Sequence, residues 1–207
     1  MPASRHTPAG YASRALSAFS WRGIVSATVS VVLIWLATGS FQAASAQESG
    51  ILLERRVKAA FLYKFLSFLT WPDRAFPQEG APLVIGVMGA PDIADELGST
   101  VDGRTVQGRT VVAKAMRPGD SLANVHLLFV DAGQHEHLRQ LAQSTKDRGS
   151  VPVSEIEDAL RQGVIINFVT VDNRVRFEVS LDAAAESGIT ISSRLLSVAY
   201  RVVGSVN

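Results

Sequence analysis

The stretch Val164–Val203, VIINFVTVDNRVRFEVSLDAAAESGITISSRLLSVAYRVV, decides the fold. Within it Val175, Phe177, Val179 and Leu181 alternate with Arg174, Arg176, Glu178 and Ser180, the period of a strand with one apolar face. The preceding run is also strand-like, and Asp172-Asn173 between the two tolerates positive φ, so the pair predicts a tight hairpin. If Val171 faces Arg174, Asn167 falls opposite Glu178 and Val169 opposite Arg176. Arg176, Glu178 and Asn167 then share one face. An interrupted helix or loop follows through Asp182 to Gly188, and Ser192 or Ser193 N-caps a last helix carrying Leu195, Leu196, Ala199, Val202 and Val203.

Upstream, Glu54 to Thr70 reads as a helix stopped by Trp71-Pro72. Val57, Phe61, Phe65 and Phe68 form one stripe, with Leu62, Leu66 and Leu69 beside it. That arc is too wide for an ordinary surface helix. It is covered on two sides within the monomer, or partly by another chain, in which case Phe61 and Phe65 are partner or dimer surface.

Leu83 to Met88 is a buried-strand run before a turn, and Asp92 to Leu97 starts a helix. Thr110 to Met116 and His126 to Val130 are further strands, the second followed by a helix with Leu138, Leu141 and Ala142 on one face. Val151 to Val153 is a brief strand, and Ser154 with Glu157 has the capping-box pattern of a helix ended by Gly163. The order predicts an α/β fold: a single three-layer domain, a mixed and mostly parallel sheet with helices on both faces, and a C-terminal β-hairpin plus helix.

Three arginines and no acid precede the apolar run Ile24 to Thr38, which is followed by small residues ending in Ala44-Ser45-Ala46. This is the pattern of a secretory signal peptide over 1–46, leaving a domain at 47–207; the run is short for a membrane span, although an uncleaved anchor is the rival reading. Without the segment there are 17 basic and 19 acidic residues, a net charge of −2, so the electrostatic footprint of nucleic-acid binding is missing. The chain has no cysteine, which excludes disulfides, thiol catalysis and cysteine metal sites.

Motifs for chemistry are weak. Gly86-Val87-Met88-Gly89 lacks the third glycine of a dinucleotide fingerprint and the lysine of a P-loop. His135-Glu136-His137 has the wrong spacing for two ligands on one helix face, and no nucleophile elbow occurs. No cofactor, metal or enzymatic activity is expected. The hairpin face is the better site. Asn167, Arg176 and Glu178 suit a small zwitterion, an anion or a partner's polar surface; the alternative is a solvated face with an internal Arg-Glu pair. Arg194 adjoins this face or points into water, and Trp71 is an exposed anchor or a packed helix stop.

Together with VKAAFLYKFLSFLTWP at 57–72 and PLVIGVMG at 82–89, the opening stretch resembles the YfiR-like family of exported bacterial proteins, over about Leu53 to Val203. The resemblance implies a periplasmic, non-enzymatic regulator that binds the periplasmic domain of an inner-membrane signalling protein, a diguanylate cyclase of cyclic di-GMP signalling. It also implies a homodimer and sequestration by an outer-membrane lipoprotein. A stand-alone periplasmic small-molecule-binding module is the alternative. The matched positions are Lys58 to Pro72, Asn167-Phe168, Arg174 to Asp182 and Ser192 to Leu196. Of these, Asn167, Arg176, Glu178, Ser192, Arg194 and Trp71 are the candidate ligand- or partner-binding residues. Where some relatives have an arginine or histidine, this chain has Thr190 and Ser192, so a shared small ligand does not carry over.

Overall fold

A computed structural model describes residues 50–205. The expected signal peptide lies outside the described residues. Helix α1 occupies residues 50–65, strand β1 is Leu69–Thr70, and β2 (Leu83–Met88) is joined by α2 (Pro91–Val101) to the hairpin of β3 (Thr105–Val106) and β4 (Arg109–Met116). β5 (Leu127–Val130), α3 (Leu138–Lys146) and β6 (Val151–Ser154) follow. The chain ends with β7 (Ile166–Val171), β8 (Arg174–Ser180), α4 (Leu181–Ser187), β9 (Thr190–Ile191), α5 (Ser193–Leu196) and β10 (Arg201–Val203).

Eight strands form one sheet in the order β10-β8-β7-β6-β5-β2-β4-β3, while β1 and β9 make a separate antiparallel pair. Only β7 with β8 and β3 with β4 run antiparallel within the large sheet. This is the mixed, mostly parallel sheet expected. β2, β5 and β6 are buried along their whole length, as parallel strands covered on both faces must be. On one face α1 and α2 bury Leu62, Phe65, Leu66, Ile93 and Leu97 against Ile85, Phe129 and Val153. On the other, α3 buries Leu138 and Ala142 against Val84, Leu128 and Val130.

The final hairpin has the register derived from its turn: Val171 pairs with Arg174, Val169 with Arg176 and Asn167 with Glu178. Asp172 and Asn173 have φ of 49° and 56°, the left-handed values of a type I′ turn.

Four expectations need correction. α1 ends at residue 65, and Leu69–Thr70 leaves the helix to pair with β9. Phe65 is 1% exposed, with its ring against Phe61, Phe168 and Phe177, so the aromatic stripe is covered by the chain's own hairpin and Phe65 is no dimer surface. Ser154 caps no helix: it ends β6, its hydroxyl donating to Val130 O while accepting from Ile156 N–H, and only a 3-10 turn at Ala159–Gln162 precedes Gly163. The last helix stops at Leu196. A turn follows, with Val198 N–H and Ala199 N–H donating to Leu195 O and Leu196 O, and β10 then adds to β8 in parallel through Arg201↔Glu178.

Gly86 and Gly89 are a packing pair rather than an anion cradle. A Cβ on Gly86 would lie 2.5 Å from Met116 Sδ, and Gly89 turns out of β2 with φ 88°.

Candidate functional site

The hairpin places Asn167, Arg176 and Glu178 on one side of the sheet, but they do not form one cluster. Glu178 is buried and its carboxylate is held by Arg201 of β10, Nε to Oε1 at 2.8 Å and NH2 to Oε2 at 3.0 Å. This two-pronged contact is the geometry that suits guanidinium and carboxylate. It lies in a cleft of about 490 Å³ whose wall also includes Arg161, Ser180, Asp182 and Gly204. Arg176 is exposed on the strand, away from that wall. Arg201 was missed because the sequence reading had put it in a helix.

Asn167 is part of the wall of a second cleft, of about 430 Å³, with Glu54, Lys58, Glu155 and Glu157. A smaller hollow of about 210 Å³ shares Glu54, Lys58 and Glu155 and reaches Asp131 and the start of α2 at Pro91. The topology explains the location. From β2 the chain crosses through α2 to β4 on one side, then returns to β5 on the other, so the connections diverge between the carboxyl ends of β2 and β5. Crevices at such switch points are where open α/β sheets hold ligands.

Lys58 is the cation of this crevice. Its Nζ donates to Glu54 Oε1 at 2.5 Å and to Glu155 Oε2. Burial works to lower the lysine pKa, but the hydrogen bonds it donates to Glu155 and Glu54 override it and leave it raised. Glu155 is also raised: burial is the main cause and the neighbouring Asp131 carboxyl adds to it, against the opposing pull of Lys58. Asn167 is 3% exposed, and its Oδ1 has no hydrogen-bond partner. A usable sequence signal was present, since β5 and β6 are each followed at once by an acid, in LLFVD and VPVSE.

The remaining candidates are framework residues or surface. Trp71 is 6% exposed and its indole N–H donates to His126 O at 2.9 Å, so it is not an exposed anchor. Ser192 N-caps α5 by accepting from Arg194 N–H, and its own N–H donates to Phe68 O, which fixes the β1–β9 pair. Arg194 is exposed, and Phe61 is half-buried. His126 is buried against Phe76, its Nδ1 accepting from Val84 N–H at 3.1 Å. The large hydrophobic side chains exposed near the C-terminus are Val198, Tyr200 and Val202, at 62, 56 and 38%. Among the described residues no cluster of three or more His, Cys, Asp or Glu could hold a metal ion, and no helix is long and apolar enough to cross a membrane.

No curated protein matches the chain. Two solved structures overlap part of it. A conserved domain protein of Vibrio cholerae O1 biovar El Tor is 11% identical, with TM-score 0.45, over 58% of this chain and 54% of its own. The ABC domain of Streptococcus pneumoniae in complex with L-Trp is 12% identical, with TM-score 0.46, over 58% of this chain and 55% of its own. The chain thus spans little more than half the length of either, and neither overlap carries a functional argument. The profile of the YfiR/HmsC-like family matches residues 55–200, well over half of the sequence, and the chain belongs to that family.

Proposed function

We propose that the chain is a periplasmic, non-enzymatic regulator that binds the periplasmic domain of an inner-membrane signalling protein, a diguanylate cyclase, and holds its output down. Family membership supports the broad class, since the YfiR/HmsC-like family suggests regulation within cyclic di-GMP signalling. The observation on this molecule that carries the reading is the end of the large sheet. β10 is three residues long and pairs with β8 alone; Val202 is exposed on it, and Val198 and Tyr200 are exposed in the turn that leads into it. An open edge beside exposed apolar side chains is a template for pairing with another chain, by backbone hydrogen bonds and side-chain contacts together. Exposed Arg176, on β8 next to that edge strand, and exposed Arg194, on α5, add positive charge. The homodimer and the outer-membrane lipoprotein implied by the resemblance would compete for such an edge, which is how sequestration releases a target.

Affinity capture of residues 47–207 against detergent-solubilised membranes of the host, followed by mass spectrometry, tests the proposal. The expected result is one inner-membrane signalling protein, retained by the parent and lost by Tyr200→Ser/Val202→Ser. Deleting the gene should raise cyclic di-GMP; unchanged levels across growth conditions would exclude a cyclase as the target. The second reading, a ligand-binding module, is favoured by the cleft of about 430 Å³ beside Lys58 and Glu155.

A further inference from the structure

Between the β1–β9 pair and β2 the chain makes a loop, residues 72–81, in which every side chain is exposed or only half-buried. A segment with so little buried surface depends on a few particular contacts to stay in place. Arg74 NH2 donates to Ser187 O at 2.7 Å and Arg109 NH1 donates to Ala81 O at 2.8 Å, which ties down its two ends. Phe76 holds the middle. Its ring stacks on the His126 imidazole with 4.6 Å between centroids, and the Arg109 guanidinium lies over it at 3.9 Å. Two groups that close to one ring must take opposite faces, so Phe76 is clamped between an arginine of β4 and the histidine that precedes β5.

His126 is the inner jaw of this clamp and is 1% exposed. Its Nδ1 accepts from Val84 N–H at 3.1 Å, and its Nε2 has no hydrogen-bond partner. The arrangement suits a neutral ring alone. A proton on Nδ1 would meet Val84 N–H donor against donor, and the imidazolium would be a buried cation with no carboxylate acting on it. Arg109 is the charged group that acts on the ring, and it is a cation too. On the loop itself Asp73, Arg74 and Glu79 are exposed; beside Gly149, whose missing Cβ leaves room for Pro72, Arg148 is exposed and bonded to Ser144 O. Val84 of β2 and Val125 bring no charge. Burial is the main cause that lowers the His126 pKa, with Arg109 adding to it against the carbonyls of Ala75 and Asn124.

We propose that residues 72–81 are an acid-released strap: a proton taken up by His126 Nδ1 drives the imidazole out from under Phe76, and the strap lifts off the amino ends of β2 and β5 while the sheet stays paired. The sheet is spared because its ladder does not run through the strap. β2 keeps β4 and β5 as neighbours, Val84 N–H exchanges a side-chain acceptor for water, and the Trp71 indole stays on the His126 backbone carbonyl. Lifting brings the Phe76 ring, the imidazolium and the Arg109 guanidinium to one surface, so the protein presents different faces in neutral and acid surroundings. The neutral ring favours the closed strap above its ordinary value of about 6.5, and the advantage is lost as pH falls toward the lower value of the closed state. The strap lies at the amino ends of β2 and β5 and the proposed partner edge is β10 at the end of the sheet, so the inference stands whether or not a membrane partner is found.

The test is hydrogen exchange of the full-length chain in mild detergent, resolved by peptide and expressed as protection relative to the unstructured rate at each pH. From about pH 7.5 to about 5.5, a span that brackets the ordinary imidazole value, protection of the strap should fall about tenfold while β2 and β5 keep theirs. In His126→Asn, whose side-chain oxygen can accept from Val84 N–H without titrating, the fall should be no more than about twofold. An equal fall in the variant, an unchanged strap in the parent, or loss of protection in β2 and β5 together with the strap would overturn the proposal. If His126→Asn does not fold, the parent decides alone by nuclear magnetic resonance. Its Val84 amide and its strap amides should then titrate with one midpoint, below about pH 6.5, and separate midpoints would overturn the proposal equally.

Discussion

At the scale of single residues, His126 shows how burial turns a titratable side chain into a framework group. Its Nδ1 accepts from Val84 N–H, which leaves the neutral ring's proton on Nε2, and the ring stacks on Phe76 at 4.6 Å between centroids. Burial lowers its pKa, and the Arg109 guanidinium acts in the same direction. A depressed imidazole contributes stability that is present above its ordinary value of about 6.5 and is lost as pH falls through the depressed folded value. Glu155 has the opposite sign: its raised carboxyl contributes stability below its ordinary value that is lost as pH rises through the folded one. Comparing the parent with His126→Asn isolates the histidine, because the asparagine oxygen can keep the Val84 bond without titrating. Melting temperatures followed from pH 7 to 5, values chosen to bracket the ordinary imidazole range, should fall less steeply in the variant. The lost stacking should cost about 0.5–1.5 kcal/mol at pH 7; parallel profiles would remove His126 as the acid-sensitive group. That Asn167 and Glu178 share the polar face of the hairpin was legible from strand alternation alone. Their burial was not, nor was the partner of Glu178, because Arg201 is 23 positions away and nothing local marks a contact that only the sheet order creates.

At the scale of elements, periodicity found those whose own packing decides them. β2 was read with its observed limits, and the hairpin with its register, because a turn that needs two positive φ values admits few other pairings. It failed where a tertiary partner outvotes local pattern. Leu195, Leu196, Ala199, Val202 and Val203 fit a helical stripe, yet β8 offers an open edge that Arg201–Val203 completes as a strand. β10 is short, so the fork from Arg201 to Glu178 should matter to its order. In Arg201→Gln the amides of Arg201–Val203 should exchange with deuterium faster while those of β2 and β5 are unchanged; equal protection would mean backbone pairing alone holds the strand. α1 behaves differently, because Phe65 is locked among three other phenylalanines. Phe65→Ala should therefore cost about 3–5 kcal/mol in denaturant unfolding, the range for deleting a fully buried aromatic ring. Phe61→Ala should cost less, since that ring is half-buried.

At the scale of the whole molecule, the absence of cysteine makes packing the source of stability, and the packing is arranged so that neither half can fail alone. Successive residues of β2 and β5 enter opposite cores: Ile85 and Val87 pack under α1 and α2, while Val84 and Met88 face α3. Losing one helical layer would expose strand residues and, through the ladder, the other layer as well. The folding unit Ser49–Asn207 should accordingly unfold in one step. The sequence supplies its own probe. Within residues 47–207 Trp71 is the only tryptophan, since the other two are Trp21 and Trp35. Trp71 is buried in the layer of α1 and α2 and is bonded to His126 O, so its fluorescence reports one core, whereas far-ultraviolet dichroism reports helices on both faces. For residues 47–207 in urea the two curves should coincide, with a slope of about 1–3 kcal/mol per molar, and neither should move on adding reductant. A fluorescence transition that precedes the dichroism would mean that the α1 layer detaches by itself. That outcome would also reopen Phe61 and Phe65 as partner surface, because a layer that leaves the sheet on its own exposes the rings that the hairpin covers.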